Sequence, residues 1–289
     1  MFGLKVGCDP EVFVRDVKTK AFISAHGLCP GTKAQPHTVP GGALQVDGLA
    51  LEYNINAAST EDEFVDLNHR VMRHLRDRVA IKSRDYAICI APVAHFDGKY
   101  FASLPEESKV LGCDKDYDAY TEKVKETPDL MDKPVRMASG HIHVGWIEDC
   151  DDVDPLEPEH FKVCCDFVRQ LDRILGIPSF MWDNNKKRRK YYGSLGTFRP
   201  KKYGVEYRVL SNQWLKSDLL MRHVYKCVKD AAYDYNNDFN YFDCFPDEYL
   251  HEIHEKLMNE TDPAVIKAIV EDYLETNQWL PKPPEVKNA

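Results

Sequence analysis

No stretch of this sequence approaches the roughly 20 consecutive apolar residues that a membrane-crossing helix needs, so no helical membrane anchor is expected. The opening residues Met1-Phe2-Gly3-Leu4-Lys5 lack the basic region and apolar core of a secretory signal. Together these absences set the expectation of a cytoplasmic protein. Positive charge is also short: 38 Lys and Arg stand against 47 Asp and Glu, a net charge of -9. A protein that coats nucleic acid through its overall charge needs the opposite balance, which leaves only a local basic patch open. The nine cysteines (Cys8, Cys29, Cys89, Cys113, Cys150, Cys164, Cys165, Cys227, Cys244) are odd in number and contain no CxxC pair. They fit neither a disulfide framework nor a structural zinc site, and buried free thiols in a reducing compartment are expected. Walker loops, dinucleotide fingerprints and kinase signatures are absent, as are repeats, low-complexity tracts and Gly/Ser linkers.

What is present suits a sizeable packed core: 43% of the residues are hydrophobic, with 13 Phe, 15 Tyr and 4 Trp. Phe64, Leu67, Val71 and Leu75 form a helical stripe opened by Thr60 and Glu63, placed like a capping box. Phe161, Cys164, Phe167, Val168, Leu171 and Leu175 form another, which Gly176 and Pro178 should end. Further helices are expected around 217–234, 247–258 and 263–276. The run Tyr86-Ala87-Ile88-Cys89-Ile90-Ala91 reads as a strand covered on both faces. Strands and helices interleave without a βαβ rhythm, so the fold class is α+β with a mainly antiparallel sheet. We expect one domain over residues 1–280, its helices at 217–280 acting as cover, and an extended tail at 281–289.

Four segments share a chemical pattern. Alternate strand residues share a face, which pairs Asp9 with Glu11, Glu52 with Asn54, His141 with His143, and Glu206 with Arg208. Pro10, between the first pair, demands an edge position or a bulge. Any one of these strands could be a half-exposed strand with a solvated face. Crowded acids, however, repel unless a cation neutralises them, so a metal site is expected if the four strands are neighbours. Oxygen-rich ligands favour Mg²⁺ or Mn²⁺. The two histidines alone could bind zinc or simply hydrogen-bond within a sheet.

Between Lys186 and Lys202 lie eight basic residues: Lys186, Lys187, Arg188, Arg189, Lys190, Arg199, Lys201 and Lys202. A flexible basic loop or a nucleic-acid patch would explain them. The favoured reading is nucleotide phosphate or an acidic substrate, because guanidinium forks bind two oxygens at once. That reading places Arg188, Arg189 and Lys201 among the nucleotide contacts.

At these segments the chain resembles the phage type-2 carboxylate–amine ligases, or amidoligases, of the glutamine synthetase superfamily. The matching stretches are Gly7–Phe13, Asp47–Asn54, Gly112-Cys113-Asp114 with Tyr117 to Tyr120, Gly140–Gly145 and Phe198–Arg208. The resemblance implies a curved antiparallel sheet backed by helices, holding ATP and divalent metals. It implies metal ligands at Asp9, Glu11, Glu52, His141 and Glu206. His143 and Arg199 would touch nucleotide phosphates, and Arg208 would stabilise the phosphoryl group in transfer. Asp9 stands where glutamine synthetases have Glu.

The expected activity is therefore ATP- and Mg-dependent formation of an amide or peptide bond through an acyl phosphate. Glu52 is the candidate base for the amine's proton. The expected partners are a carboxylate and an amine, small-molecule or peptide; an oligomer is compatible, and a phage-encoded protein would act in the host cytoplasm. Three rivals remain: a kinase of small guanidino or amine substrates, a non-catalytic relative acting in binding or structure, and a metal-dependent hydrolase.

Overall fold

The computed structural model describes residues 3–110, 115–126 and 130–285; the Gly112-Cys113-Asp114 stretch lies outside them. The first half of the chain supplies strands β1 (Lys5–Cys8), β2 (Glu11–Asp16), β3 (Phe22–Ile23), β4 (His37–Val39), β5 (Gly42–Asp47), β6 (Ala50–Ile55), β7 (Tyr86–Cys89) and β8 (Val93–His95). The second supplies β9 (Tyr117–Asp118), β10 (Lys123–Val124), β11 (Val135–Met137), β12 (Ile142–Gly145), β13 (Thr197–Lys201) and β14 (Gly204–Tyr207). Every pairing of these strands is antiparallel. One sheet runs β1-β12-β14-β13-β9-β10; a second runs β3-β2-β6-β5-β4, with β7 also paired to β2.

Pro10 decides how the two sheets join. Proline cannot donate to a ladder, and here the chain leaves one sheet at Cys8 and enters the other at Glu11. The strand expected to carry both Asp9 and Glu11 is thus two strands, with Asp9 and Pro10 at the switch. Glu11 N–H donates to Ser139 O at 2.9 Å, and Val6 and Ala58 exchange two backbone bonds. These stitches curl the two sheets into a half-barrel, with helices outside it.

Each sheet has its own backing helix. The Glu61–Lys82 helix packs on β5, β6 and β7, and the Pro158–Leu171 helix on β13 and β14. The first starts as its sequence predicts: Glu63 N–H donates to Thr60 Oγ1 at 3.2 Å, while the Glu63 carboxylate accepts from Ser59 N–H at 2.7 Å. Its buried residues include Phe64, Leu67, Val71 and Leu75. The Asp218–Asn236 helix bridges the two backing helices, and Asp247–Asn259 and Pro263–Thr276 follow it. Residues 281–285 have no regular structure.

Two expectations need correction. Tyr86–Cys89 is not a fully covered strand, since Ala87 is exposed and its neighbours are half-buried. Its faces look onto different apolar clusters: Tyr86, Ile88 and Ile90 touch the main core, Cys89 and Ala91 a smaller one around Phe13, Phe96 and Phe101. Nor does the second helix continue unbroken to Gly176. It is α-helical to Leu171, then makes a π turn over Asp172–Gly176. A Cβ at Gly176 would lie 2.8 Å from Tyr207 Oη and 3.0 Å from Asp172 Oδ1, so only glycine fits this contact.

The π turn presents the fully buried Asp172 to the back of the sheet. Its carboxylate accepts from Tyr207 Oη at 2.7 Å, Tyr120 Oη at 2.9 Å and Gly196 N at 2.6 Å. Burial pushes its pKa up to about 7, although Tyr207 and Tyr120 oppose the shift. The folded value therefore exceeds the unfolded one of roughly 3.9, so protonation favours the fold. Native stability from this group is full below about pH 4 and declines as pH rises toward 7. Asp172→Asn removes acceptors at a cost of about 1–3 kcal/mol. In urea unfolding, that penalty should shrink from pH 4 to pH 7, because only the wild type loses stability over the interval. A penalty that grows with pH would contradict the burial effect.

Candidate active site

Strand register sets the chemical residues in two rows. Across the first sheet, Gly7 faces His143, His143 faces Glu206, and Glu206 faces Arg199. Across the second, Glu11 faces Glu52 and Glu52 faces Gln45. Alternation holds where the sequence predicts it: Glu52 and Asn54 are half-buried while Leu51, Tyr53 and Ile55 are buried. Asp47 joins the second row through the β5–β6 hairpin. There Gly48 adopts φ +57° and the two-residue turn pairs Asp47 with Ala50. A left-handed first corner is what such a hairpin requires.

The curl brings both rows to one cleft. Asp9 Oδ1 lies 3.2 Å from His141 Nδ1 and 3.1 Å from His143 Nε2. His141 Nδ1 is 3.4 Å from Glu206 Oε1. Glu206, 1% exposed, takes Lys201 Nζ at 2.7 Å on one oxygen and Arg208 Nη1 on the other. Asp116 Oδ1 receives Arg199 Nε at 2.7 Å and lies 3.0 Å from Arg208 Nε. On the acidic side Glu11 Oε2 accepts Ser139 N–H at 2.8 Å.

Two cavities meet here. One, of about 160 Å³, is lined by Glu11, Asp47, Arg136, Arg199, Glu206 and Arg208 among others. The second, of about 860 Å³, is lined by His143, Tyr203, Trp146, Asn54 and Gln45 among others. Asp9, Glu52 and Lys33 line both, where the two adjoin.

Charge divides the acids into two classes. Burial opposes ionisation of Asp9, yet His143 and His141 hold its pKa below the usual carboxylate range. Burial likewise opposes ionisation of Glu206, and Arg208 with the two histidines overcomes it. Glu11, Asp47 and Glu52 lack enough cationic neighbours. Burial and then Asp47 push Glu11 up to about 8. Burial raises Asp47, and burial followed by Asp9 and Glu11 raises Glu52 well above its ordinary value. Burial and then Arg208 push His141 down to about 4, so its imidazole is neutral near pH 7.

The donor set fits divalent cations. Ligand atoms of Asp9, His143 and Glu206 lie within 4.8 Å of one another, as do those of Glu11, Asp47 and Glu52. The Nε2 atom of His141 is buried yet makes no hydrogen bond among the described residues, whereas that of His143 lies against Asp9. A buried imidazole nitrogen left in the first state points to a missing partner. Geometry thus groups His143, where the sequence suggested His141, with Asp9 and Glu206; His141 adjoins the same two acids. His143 Nδ1 is hydrogen-bonded to Tyr203 Oη, which fixes the ring.

Of the expected nucleotide contacts, Arg199 and Lys201 reach the smaller cavity, but Arg188 and Arg189 reach neither. Both are fully buried on the Lys186–Tyr191 helix. Arg188 donates to Val209 O, Leu210 O at 2.6 Å and Ser139 Oγ at 3.1 Å. Arg189 donates to Asp183 O and Ser179 Oγ and stacks on Phe180, 3.8 Å from the ring centroid. These arginines brace the backbone behind Ser139 and Arg208; they are not a flexible basic loop. Asp47, Asp116, Arg136, Lys33, Gln45 and Tyr203 were not singled out in the sequence. The Asp47-Gly48 hairpin signal, followed to its register, would have placed Asp47 beside Glu52.

Two outcomes follow from this arrangement. Mg²⁺ binding should displace the proton held by Glu11, so apparent affinity falls about tenfold per pH unit below 8. Calorimetry in two buffers of different ionisation enthalpy measures that release, and a buffer-independent heat would refute it. Arg188→Met strands several buried carbonyls and should destabilise the fold by about 3 kcal/mol or more. Arg222→Met, in an exposed ion pair with Glu61 and Asp62, should leave stability nearly unchanged; paired urea melts compare them.

No curated protein matches the chain in sequence. A solved glutamine synthase homologue is 13% identical over 97% of this chain and 69% of its own, with a TM-score of 0.36. Residues 137–248, which carry His141, His143, Arg199, Lys201, Glu206 and Arg208, match the family model described as Phage phiEco32-like COOH.NH2 ligase-type 2.

Proposed function

We propose that the protein is an ATP- and Mg²⁺-dependent carboxylate–amine ligase working through an acyl phosphate. The observation that carries the reading is the two acidic groups in one cleft with Arg199, Lys201 and Arg208, of which His143, Glu206 and the three basic residues lie within the stretch that matches a ligase family. Asp9, His143 and Glu206 would hold one cation, and Glu11, Asp47 and Glu52 another, with His141 alongside. Bound Mg²⁺ supplies charge neutralisation and polarisation of phosphoryl oxygens.

The remaining work falls to the chain. The cavity of about 860 Å³ has the capacity for a nucleotide, since ligands of that class occupy roughly 300–1,000 Å³. His143 stands at its inner wall. A substrate carboxylate oxygen attacks the γ-phosphorus, the bond to the bridging oxygen breaks, and ADP departs. Arg208, Arg199 and Lys201 offset the charge that spreads over the transferring group, the main requirement of phosphoryl transfer. An amine then attacks the acyl carbon, the C–N bond forms, and phosphate leaves.

Glu52 takes the amine's proton. It lines both cavities, within reach of a group bound in either. No nucleophilic side chain is needed. Burial raises the thiols of Cys8, Cys164 and Cys227, which makes them poor nucleophiles.

The test is carboxylate-dependent ADP release with Mg²⁺ and with EDTA, comparing the wild type with Glu206→Gln. The expected loss is about 10²-fold or more with the circular dichroism spectrum retained. Equal rates in the two proteins would remove Glu206 from the machinery, and EDTA-insensitive turnover would remove the cation.

A further inference from the structure

The turn between β13 and β14 reaches back over β12, and one aromatic residue on it touches the candidate cation site. We infer that Tyr203 is the positioning residue of His143. Its hydroxyl oxygen accepts the Nδ1 proton, so that Nε2 offers its lone pair to a divalent cation shared with Asp9 and Glu206. The inference rests on the cation site of the ligase reading above.

The backbone comes first. Lys201 pairs with Gly204, which leaves Lys202 and Tyr203 as a two-residue turn. Tyr203 O accepts from Trp146 N–H at 2.9 Å and from Ile147 N–H at 3.2 Å, so the turn is fastened to the chain leaving β12. Gly204 permits that approach: it adopts φ +153°, and a Cβ there would lie 2.1 Å from Val144 O.

The ring follows from the backbone. His143 and Gly145 share a face of β12. A Cβ on Gly145 would meet Tyr203 Cδ2 at 3.6 Å, so the tyrosine ring packs beside the bare glycine. Its hydroxyl end reaches the next residue on that face. The centroids of the Tyr203 and His143 rings are 6.1 Å apart, and Oη is hydrogen-bonded to Nδ1.

The chemistry decides the direction of that bond. A neutral imidazole carries one proton, and the partner of one nitrogen fixes what the other can offer. Nε2 faces the acids: it lies 3.1 Å from Asp9 Oδ1, and ligand atoms of Asp9, His143 and Glu206 lie within 4.8 Å of one another. A cation among them needs the Nε2 lone pair, which puts the ring proton on Nδ1. There it meets Tyr203 Oη, and a ligand imidazole held in this way keeps both its tautomer and its orientation.

Tyr203→Phe keeps the ring and removes only the acceptor, so the fold is retained while the role is read. Mn²⁺ alone would be titrated into the full chain, with the free ion followed by electron paramagnetic resonance. One class of Mn²⁺ site should weaken about 10–100-fold in the variant, and the class held by Glu11, Asp47 and Glu52 should not change. His143→Gln should weaken the same class, and adding Tyr203→Phe to it should cost nothing further, because the two residues act as one unit. Nitrogen NMR of the histidine-labelled protein with Mg²⁺ should find the His143 proton on Nδ1. Equal Mn²⁺ affinity in wild type and Tyr203→Phe would overturn the inference and leave the cation site standing. So would a further loss in the double variant, or a proton on Nε2 with Mg²⁺ bound. No Mn²⁺ bound by the wild type would overturn the cation reading itself, and the role of Tyr203 with it.

Discussion

Asp9, Glu11, Asp47, Glu52 and Glu206 converge on one cleft, and mutual repulsion between them is the constraint to which the rest of the site responds. Like charges in a partly dehydrated space cannot all ionise together. The chain answers on one side with His141, His143, Lys201 and Arg208, which hold Asp9 and Glu206 charged. On the other side it supplies little, so Glu11, Asp47 and Glu52 are raised. The unbalanced side is where an added cation gains most, because it meets acids with few positive neighbours of their own. A fold that wanted only stability would have replaced these groups with apolar ones, since buried charge clusters contribute little to folding.

Holding such a cluster together requires a stiff frame, and the frame is backbone. The switch at Pro10 lets one chain segment serve both sheets, so the two rows of side chains face each other across a curl and not along a flat surface. Behind the first sheet, Asp172 ties the end of the backing helix to Tyr207, the residue between Glu206 and Arg208, and to Gly196 at the approach to β13. Arg188 ties the following residues, Val209 and Leu210, to Ser139. Ser139 in turn donates its N–H to Glu11. A buried arginine with no view of the cleft therefore lies two contacts from a candidate metal ligand, which accounts for a full positive charge inside the protein.

Much of this was legible in the sequence where the controlling interactions are local. Period-two alternation put Glu52 with Asn54, His141 with His143, and Glu206 with Arg208 on common faces, and Pro10 announced a break. The capping pair Thr60 and Glu63 marked a helix start to the residue. What escaped depends on distant partners. Arg188 and Arg189 look like neighbours of Lys186 and Lys187 in any local window. They are buried because Val209, Leu210, Asp183 and Ser179 offer oxygens that no window around residue 188 contains. The π turn at Asp172 is invisible for the same reason: its cause is the set of donors from Tyr120, Gly196 and Tyr207. Asp47 was within reach, since an Asp-Gly hairpin fixes register and register fixes face, but the step from turn to opposite strand has to be taken.

The place where the cavities adjoin gathers these threads. Asp9, Glu52 and Lys33 line both compartments, so groups bound in the two would meet beside charged side chains. Under the ligase reading that geometry serves the chemistry. The small compartment brings Glu11, Asp47 and Glu52 together with Arg199, Lys201 and Arg208, so acids for a cation and basic side chains for a phosphoryl group line one space. The triphosphate can be held by histidine and by basic side chains whose own partners, Glu206 and Asp116, are built into the same strands and loops. Gly7, opposite His143, lines the larger cavity, and a Cβ there would meet the His143 Cβ at an ordinary contact distance of 3.7 Å. A side chain much larger than alanine at this position would therefore press on His143 and, through it, on Asp9 and Glu206.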